Sequence, residues 1–344
     1  MASRREMIPG LVSTVVPVYN RPALMEEAVR SVLAQTYRPI EIILVDDGSN
    51  EATAHAVDEL ARQNAGVVRV VHRPNGGPGC ARETGRSMAR GEFIQYLDSD
   101  DLMLPRKLEV QVSALREHPE CGIAYGVTRL IDESGIVLDS SYKGSGERRE
   151  TLFPALLVER WWNTHTPLYR RSVCDAVGPW TDMRTGEDWE YDARVGALGT
   201  RLTFCDEYVS EHRQHDGPRL TGKTSISAQH ARDWTRLLPI LADCAVAAGI
   251  AFDTPEMQHL ARRAFLLARQ TGAVGFVKEA RELFALARRL HTAGERHSLQ
   301  LTVYGIAAYS IGWTAVGRLA ARLERLSERP SRQANARPRS ADPQ

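Results

Sequence analysis

Three acids close one short stretch of the chain, Gly91-Glu92-Phe93-Ile94-Gln95-Tyr96-Leu97-Asp98-Ser99-Asp100-Asp101. An apolar, β-prone run ends there in carboxylates. If the backbone stays extended, Asp98 and Asp100 share a face and Ser99 points the other way. Two carboxylates aimed at one point repel each other unless a cation lies between them. A hard divalent ion such as Mg²⁺ or Mn²⁺ takes oxygen ligands of this kind and also binds the oxygens of a substrate diphosphate. Taken alone, Asp-Ser-Asp reads more simply as an acidic strand end or a cap.

Other residue groups carry chemistry too. Glu187 and Asp188 sit where a helix begins, a position that favours acids; a cap is the plain reading, a general base facing a cleft the functional one. His212 and His215 are three apart in a Gly/Pro-containing segment that reads as a loop. Asp47 follows an apolar run and is either an Asp-Gly turn or an acceptor for a nucleobase N–H or ribose hydroxyl. Gly76-Gly77-Pro78-Gly79 allows backbone to approach a ligand closely, and Arg82 just beyond reads alone as a solvated helix arginine, with a phosphate contact as the alternative. Trp161-Trp162 offers either two core rings or one platform for a sugar, and His165 reads as structural.

These residues need elements to position them. Apolar, β-branched runs recur at Leu11–Val18, Ile40–Val45, Val67–Val71 and Phe93–Leu97, with helical patterns between them. In the first gap Leu24, Ala28 and Val32 lie beside Met25, Val29 and Leu33, an apolar helix face that Asn20 could cap. Such alternation predicts βαβ units and a mostly parallel sheet, with ligands beyond the carboxyl ends of its strands. Further strands are expected at Cys121–Tyr125 and Arg201–Cys205, a hairpin at Arg129–Asp139 and a helix at Thr151–Val158. From about Ser225 strand patterns vanish. Helices are expected near residues 227–247, 254–271, 276–291 and 299–326. Leu299–Gly317, uncharged but weakly apolar, reads as a packed core helix, with a membrane-surface helix as the alternative.

The 344 residues are 43% hydrophobic and 25% charged, with net charge +1, which suits a soluble globular protein and argues against a general nucleic-acid binder. Five scattered cysteines form no CxxC pair, so a reducing cytoplasm is expected. Arg4-Arg5 ahead of the first apolar run imitates a signal peptide, but Ser13, Thr14 and Pro17 interrupt the run and it reads as a strand. No dinucleotide fingerprint follows the first apolar run and no Walker A loop is present, which argues against a nicotinamide enzyme or P-loop ATPase.

The pieces Val15-Val16-Pro17-Val18-Tyr19-Asn20, Ser31–Tyr37, Glu41–Ser49, Gly76-Gly77-Pro78 with Ala81-Arg82, Gly91–Asp101, Val177–Trp180, Gly186–Trp189 and Arg213-Gln214-His215 follow one another in order. In this the chain resembles glycosyltransferase family 2, inverting nucleotide-sugar transferases of GT-A fold. The resemblance covers residues 10–222. It implies an α/β, Rossmann-like mixed sheet flanked by helices, here with an α-helical C-terminal region at 223–326 and a disordered tail at 327–344. It implies that Pro17, Tyr19, Asp47, Arg82 and Asp98 bind the nucleotide sugar. Asp100, Asp98 and His215 would hold Mn²⁺ or Mg²⁺, and Asp188, supported by Glu187, would be the catalytic base. Glu83 departs from the family's usual Arg-Asn pair and leaves that position's role undefined. Asp101 is expected to be dispensable, capping the next turn.

The function implied is metal-dependent transfer of a sugar, from a UDP-linked donor, to a hydroxyl acceptor in glycan or polysaccharide biosynthesis. The expected location is the cytoplasm, at the inner face of the membrane if the C-terminal helices touch it, and a homodimer is a further expectation. The competing reading is a non-catalytic sugar-nucleotide-binding or scaffold protein. A nucleotidyltransferase would need a Gly-rich activation loop where Pro17-Val18-Tyr19-Asn20 stands.

Overall fold

The structure is a computed structural model, and it describes residues 7–214, 226–292 and 295–327. The apolar runs form strands as their composition requires. β1 (Ile8–Val18), β2 (Ile40–Asp46), β3 (Val68–His72) and β4 (Gly91–Tyr96) pair in parallel in the order β3-β2-β1-β4. Strand β2 is buried along its whole length, which is why it is apolar on both faces apart from the buried acids Glu41 and Asp46. Helices α1 (Pro22–Leu33), α2 (Glu51–Gln63) and α3 (Pro78–Met88) make the crossovers. α1 buries Met25, Ala28, Val29 and Val32, the expected face. Asn20 does not cap it. The first cap position is Arg21, and the Asn20 carboxamide oxygen instead accepts from Asn50 N–H at 2.8 Å, fastening the end of β1 to the start of α2.

Beyond β4 the sheet turns mixed. β5 (Leu102–Met103), β6 (Cys121–Ile131), β7 (Val137–Asp139), β8 (Leu168–Arg170) and β9 (Arg201–Arg213) extend it as β4-β8-β6-β9-β5, with β7 on β6. β8 runs antiparallel to both neighbours, and β6 and β9 run parallel to each other. β9 is much longer than the stretch that reads as a strand, because its register shifts let it continue past the polar residues Asp206 and Glu207. His212 therefore lies on a strand and not in a loop. Helices α4 (Lys107–Glu117), α5 (Arg171–Val177) and α6 (Glu187–Ala197) pack on this half. Where Thr151–Val158 was expected to be helical, only a 3₁₀ turn forms at Ala155–Leu157.

The chain separates into two compact units. One is Met1–Gly222 with Ile240–Ile250, the other Lys223–Pro239 with Ala251–Gln344. Helix α7 (Ala228–Ala247) contributes to both. The second unit is helical: α8 (Pro255–Ala273), α9 (Val277–Leu290), α10 (Glu295–Ile311) and α11 (Trp313–Ser327). Thr254 caps α8, its hydroxyl accepting from Met257 N–H. The single helix expected at 299–326 is two, parted at Gly312, whose φ of +99° is open to glycine. Gly317 has a packing role. A Cβ there would come 2.5 Å from Ala273 N, so only glycine lets α11 lie this close to α8.

Leu299–Gly317 is not the packed core helix expected. Leu301, Tyr304 and Ala308 are buried, but Leu299, Val303, Ile306, Tyr309 and Ile311 are exposed. Among the described residues no helix is long and apolar enough to cross a membrane.

Candidate active site

Parallel pairing brings the carboxyl ends of β1, β2 and β4 to one edge of the sheet. Tyr19 leaves β1 exposed there, and Pro17 is half-buried one residue before the end of that strand. Asp47 follows β2 and is buried. Its carboxylate accepts from Arg73 Nη1 at 2.5 Å, Gly76 N–H at 3.0 Å and Gly77 N–H at 2.7 Å. Asp47 thus shapes the Arg73–Gly77 loop that borders the cleft. Gly77 is needed for its φ of +92°. Gly79 meets protein and not ligand: a Cβ there would drive into the carbonyl oxygen of Thr181.

The backbone does not stay extended through the acids. Asp101 N–H donates to Asp98 C=O at 3.1 Å and closes a turn, so the three carboxylates part. Asp98 accepts from Arg82 Nη2 at 2.6 Å. Asp100 pairs with Arg21. Both acids remain partly open to solvent, with side-chain exposures of 30% and 18%.

Arg82 is not a solvated helix arginine. It is 3% exposed, lies over the Trp180 ring, and its second nitrogen donates to Glu187 Oε1 at 2.7 Å. One guanidinium therefore joins Asp98, after β4, to Glu187, at the start of α6. The planar fork of arginine suits such a bridge in a way a lysine would not. Glu83, left undefined by the sequence, is structural: it pairs with Arg86 and accepts from Trp180 N–H at 3.2 Å.

Glu187 and Asp188 are adjacent acids in different states. Burial, and then the negative charge of Asp188, push the Glu187 pKa up to about 7. Burial also works against the Asp188 carboxylate, but Arg160, Arg82 and Lys143 outweigh it and hold its pKa below the ordinary value. Asp188 Oδ2 accepts from Arg160 Nη1 at 2.9 Å and Thr164 Oγ1 at 3.4 Å. Arg160 is itself fixed by Asp192, whose carboxylate also accepts from Trp162 Nε1 and Tyr169 Oη, each at 2.8 Å. The two tryptophans are both core, 1% exposed, so neither is a sugar platform. Arg160 and Asp192 were missed by sequence reasoning. Asp192 could have been found, because it lies four residues after Asp188 and so shares its helix face.

Asp101 is not a dispensable cap. It is 1% exposed and sits between two imidazoles, with His165 Nδ1 at 2.7 Å and His212 Nδ1 at 2.9 Å. It also accepts from Arg213 N–H at 3.0 Å, tying the acidic turn to β9. Burial opposes its charge, but the two histidines hold its pKa well below the carboxylate range. Among the described residues Asp101, His165 and His212 are the one group of acid and imidazole ligands whose atoms converge tightly enough to surround an ion, all within 4.8 Å. His215 lies outside the described residues. Asp98 and Asp100 offer the carboxylate oxygens a hard cation takes, but each is held by an arginine.

With this geometry in view, residues 13–172 match the family described as glycosyl transferase family 2. The match takes in a little under half of the chain, and glycosyltransferase family 2 is the family to which this stretch is similar. Across 230 residues the chain is 30% identical to the glycosyltransferase EpsJ of Bacillus subtilis, covering 61% of this chain and 62% of EpsJ. It spans a smaller share, 21%, of a glycosyltransferase of Rickettsia felis to which it is 40% identical over 126 residues. Among solved structures, S. aureus TarS 1-349 in complex with UDP superposes with a TM-score of 0.64 at 19% identity, over 91% of each chain. The mannosyltransferase PcManGT of Pyrobaculum calidifontis, in complex with GDP-Man and Mn²⁺, gives 0.50 at 20% identity, over 92% of this chain and 87% of that one. The fold is GT-A: a mixed sheet with flanking helices, followed by C-terminal helices.

Proposed function

We propose that the chain transfers a sugar, with inversion, from a nucleoside diphosphate donor to a hydroxyl acceptor in glycan or polysaccharide assembly. The observation that carries this is the Arg82 bridge. It joins Asp98 on the donor side to Glu187 beside Asp188, acids from pieces of chain about ninety residues apart. Inversion by one displacement needs a single base opposite the leaving group, and Asp188 stays ionised at neutral pH to serve as it. As the acceptor oxygen attacks the anomeric carbon, Asp188 takes its proton, and the bond to the β-phosphate oxygen breaks. Glu187 and Arg82 orient the pair. Pro17, Tyr19, Asp47 and Asp98 border the place for base and ribose. TarS with UDP supports a UDP-linked donor as the first to test.

Asp98 and Asp100 keep carboxylate oxygens partly open to solvent, the ligand type a divalent ion takes. Asp100 and Asp98, with His215, would hold it, and when bound it would stabilise negative charge on the departing diphosphate. Arg21 must then release Asp100. The test is donor consumption from UDP-, GDP- and dTDP-sugars with Mn²⁺, Mg²⁺ or a chelator. The expected result is turnover of one donor class that the chelator or Asp100→Ala removes at least a hundredfold. Full turnover in both cases contradicts the metal assignment, and no turnover of any donor favours the non-catalytic binding reading.

The exposed stripe of Leu299, Val303, Ile306 and Tyr309 on α10, and Leu319 and Leu323 beside exposed Arg318 and Arg322 on α11, supports contact with an anionic membrane surface. That contact would place the protein at the inner face of the cell membrane. The full chain should float with vesicles containing anionic lipid, and Leu299→Asp with Ile306→Asp should abolish flotation. Wild-type protein that stays at the bottom of the gradient contradicts the contact.

A further inference from the structure

Four arginines of the cleft are each committed to acids: Arg21 to Asp100, Arg73 to Asp47, Arg82 to Asp98 and Glu187, Arg160 to Asp188 and Asp192. Lys143 is different. Among the described residues its ammonium makes no ion pair and no hydrogen bond, and it lies 5.6 Å from the centre of the Tyr142 ring.

The turn that carries it, Tyr142–Gly144, is held from below. Ser145 Oγ accepts from Thr128 N–H on β6 at 2.8 Å. The Tyr142 ring stacks on His212, with centroids 5.2 Å apart and planes 4° from parallel, so the turn is fixed to the Asp101–His212 pair. Lys143 itself has φ +57° and ψ +18°, the left-handed region that a lysine rarely enters. Backbone of this kind persists where its surroundings impose it, often at a ligand clamp.

The charges acting on Lys143 identify what it faces. They are Arg160 first, then Asp188, Asp101 and Asp98. Loss of water around the ammonium, followed by the like charge of Arg160, lowers its pKa from the usual lysine value. Arg160, 8% exposed, has a buried Nη2 with no hydrogen-bond partner. Two like charges within electrostatic reach of each other, one carrying an unsatisfied buried donor, are a setting that an anion would stabilise.

We propose that Lys143 and Arg160 form a phosphate subsite beside Asp188. The inference rests on the transfer reading above, and two sources share the chemistry. The phosphate belongs either to the donor diphosphate, whose departure the ammonium would favour, or to a phosphorylated acceptor whose hydroxyl Asp188 deprotonates. Lys143 is carried by the held turn and Arg160 is fixed by Asp192, so both cations are positioned by the fold.

The test is calorimetric titration of the full chain with UDP plus Mg²⁺, with uridine, and with inorganic phosphate added to nucleotide-saturated protein. Wild type is compared with Lys143→Asn, which tolerates the left-handed backbone, and Lys143→Arg, which keeps the charge. If the donor supplies the phosphate, Lys143→Asn weakens UDP at least tenfold with uridine unchanged, and Lys143→Arg restores most of it. If the acceptor supplies it, UDP is unchanged and inorganic phosphate binding is lost. UDP and phosphate affinities both within twofold of wild type, or wild-type protein that binds neither, overturn the subsite. Should wild type bind no UDP, GDP or dTDP, the transfer reading fails separately and phosphate titrated into the nucleotide-free protein alone decides.

Discussion

Glu187 and Asp188 divide proton chemistry between them. With a pKa raised to about 7 by burial and by Asp188, Glu187 keeps a proton over a range in which the unfolded chain has lost it. Between the ordinary glutamate value and about 7 the folded state therefore binds more protons, and its stability falls as pH rises through that window. Glu187→Gln removes this titration. Relative to wild type, its free energy of unfolding from urea titrations should be larger, the variant being relatively more stable, at pH 8 than at pH 5; a pH-independent difference contradicts the raised pKa. At this scale the sequence displayed residue types but not partners. Asp47, Asp98, Asp100 and Asp188 were visible because acids at strand ends and helix starts are conspicuous. Arg82 looked like a surface residue because nothing local reveals that Trp180 and Glu187, about a hundred positions on, cover it. Asp101 was misread for the same reason, since His165 and His212 reach it from distant segments.

Among elements, the four parallel strands and their helices were legible because buried parallel strands are apolar throughout and their crossovers carry a helical period. Strand β9 was not. Its polar middle interrupts the pattern, and its register along β6 shifts to accommodate those residues. The C-terminal helices were legible in number up to Gly312, where a left-handed glycine parts what composition makes continuous. Close helix packing at Gly317 offers a direct check. Gly317→Ala places a methyl 2.5 Å from the α8 backbone, which a flexible side chain cannot relieve. Overpacking of this kind costs about 1–3 kcal/mol. Thermal unfolding should show the loss, while nucleotide affinity stays at the wild-type level; an unchanged melting temperature contradicts the packing role.

For the whole molecule, the α/β unit gathers the cleft from the ends of β1, β2 and β4, the start of α6 and the Tyr142–Gly144 turn. This arrangement explains why single motifs were weak and their order was informative: each supplies one side of a site that the sheet assembles. In this assembly Asp188 serves as the base of the proposed inverting transfer. The most direct measurement of this role is single-turnover sugar transfer by Asp188→Asn, with donor affinity determined on the same protein. The transfer rate should fall by about 10²–10⁴, the range of general-base catalysis, with donor affinity within twofold of wild type. A transfer rate equal to wild type would contradict it.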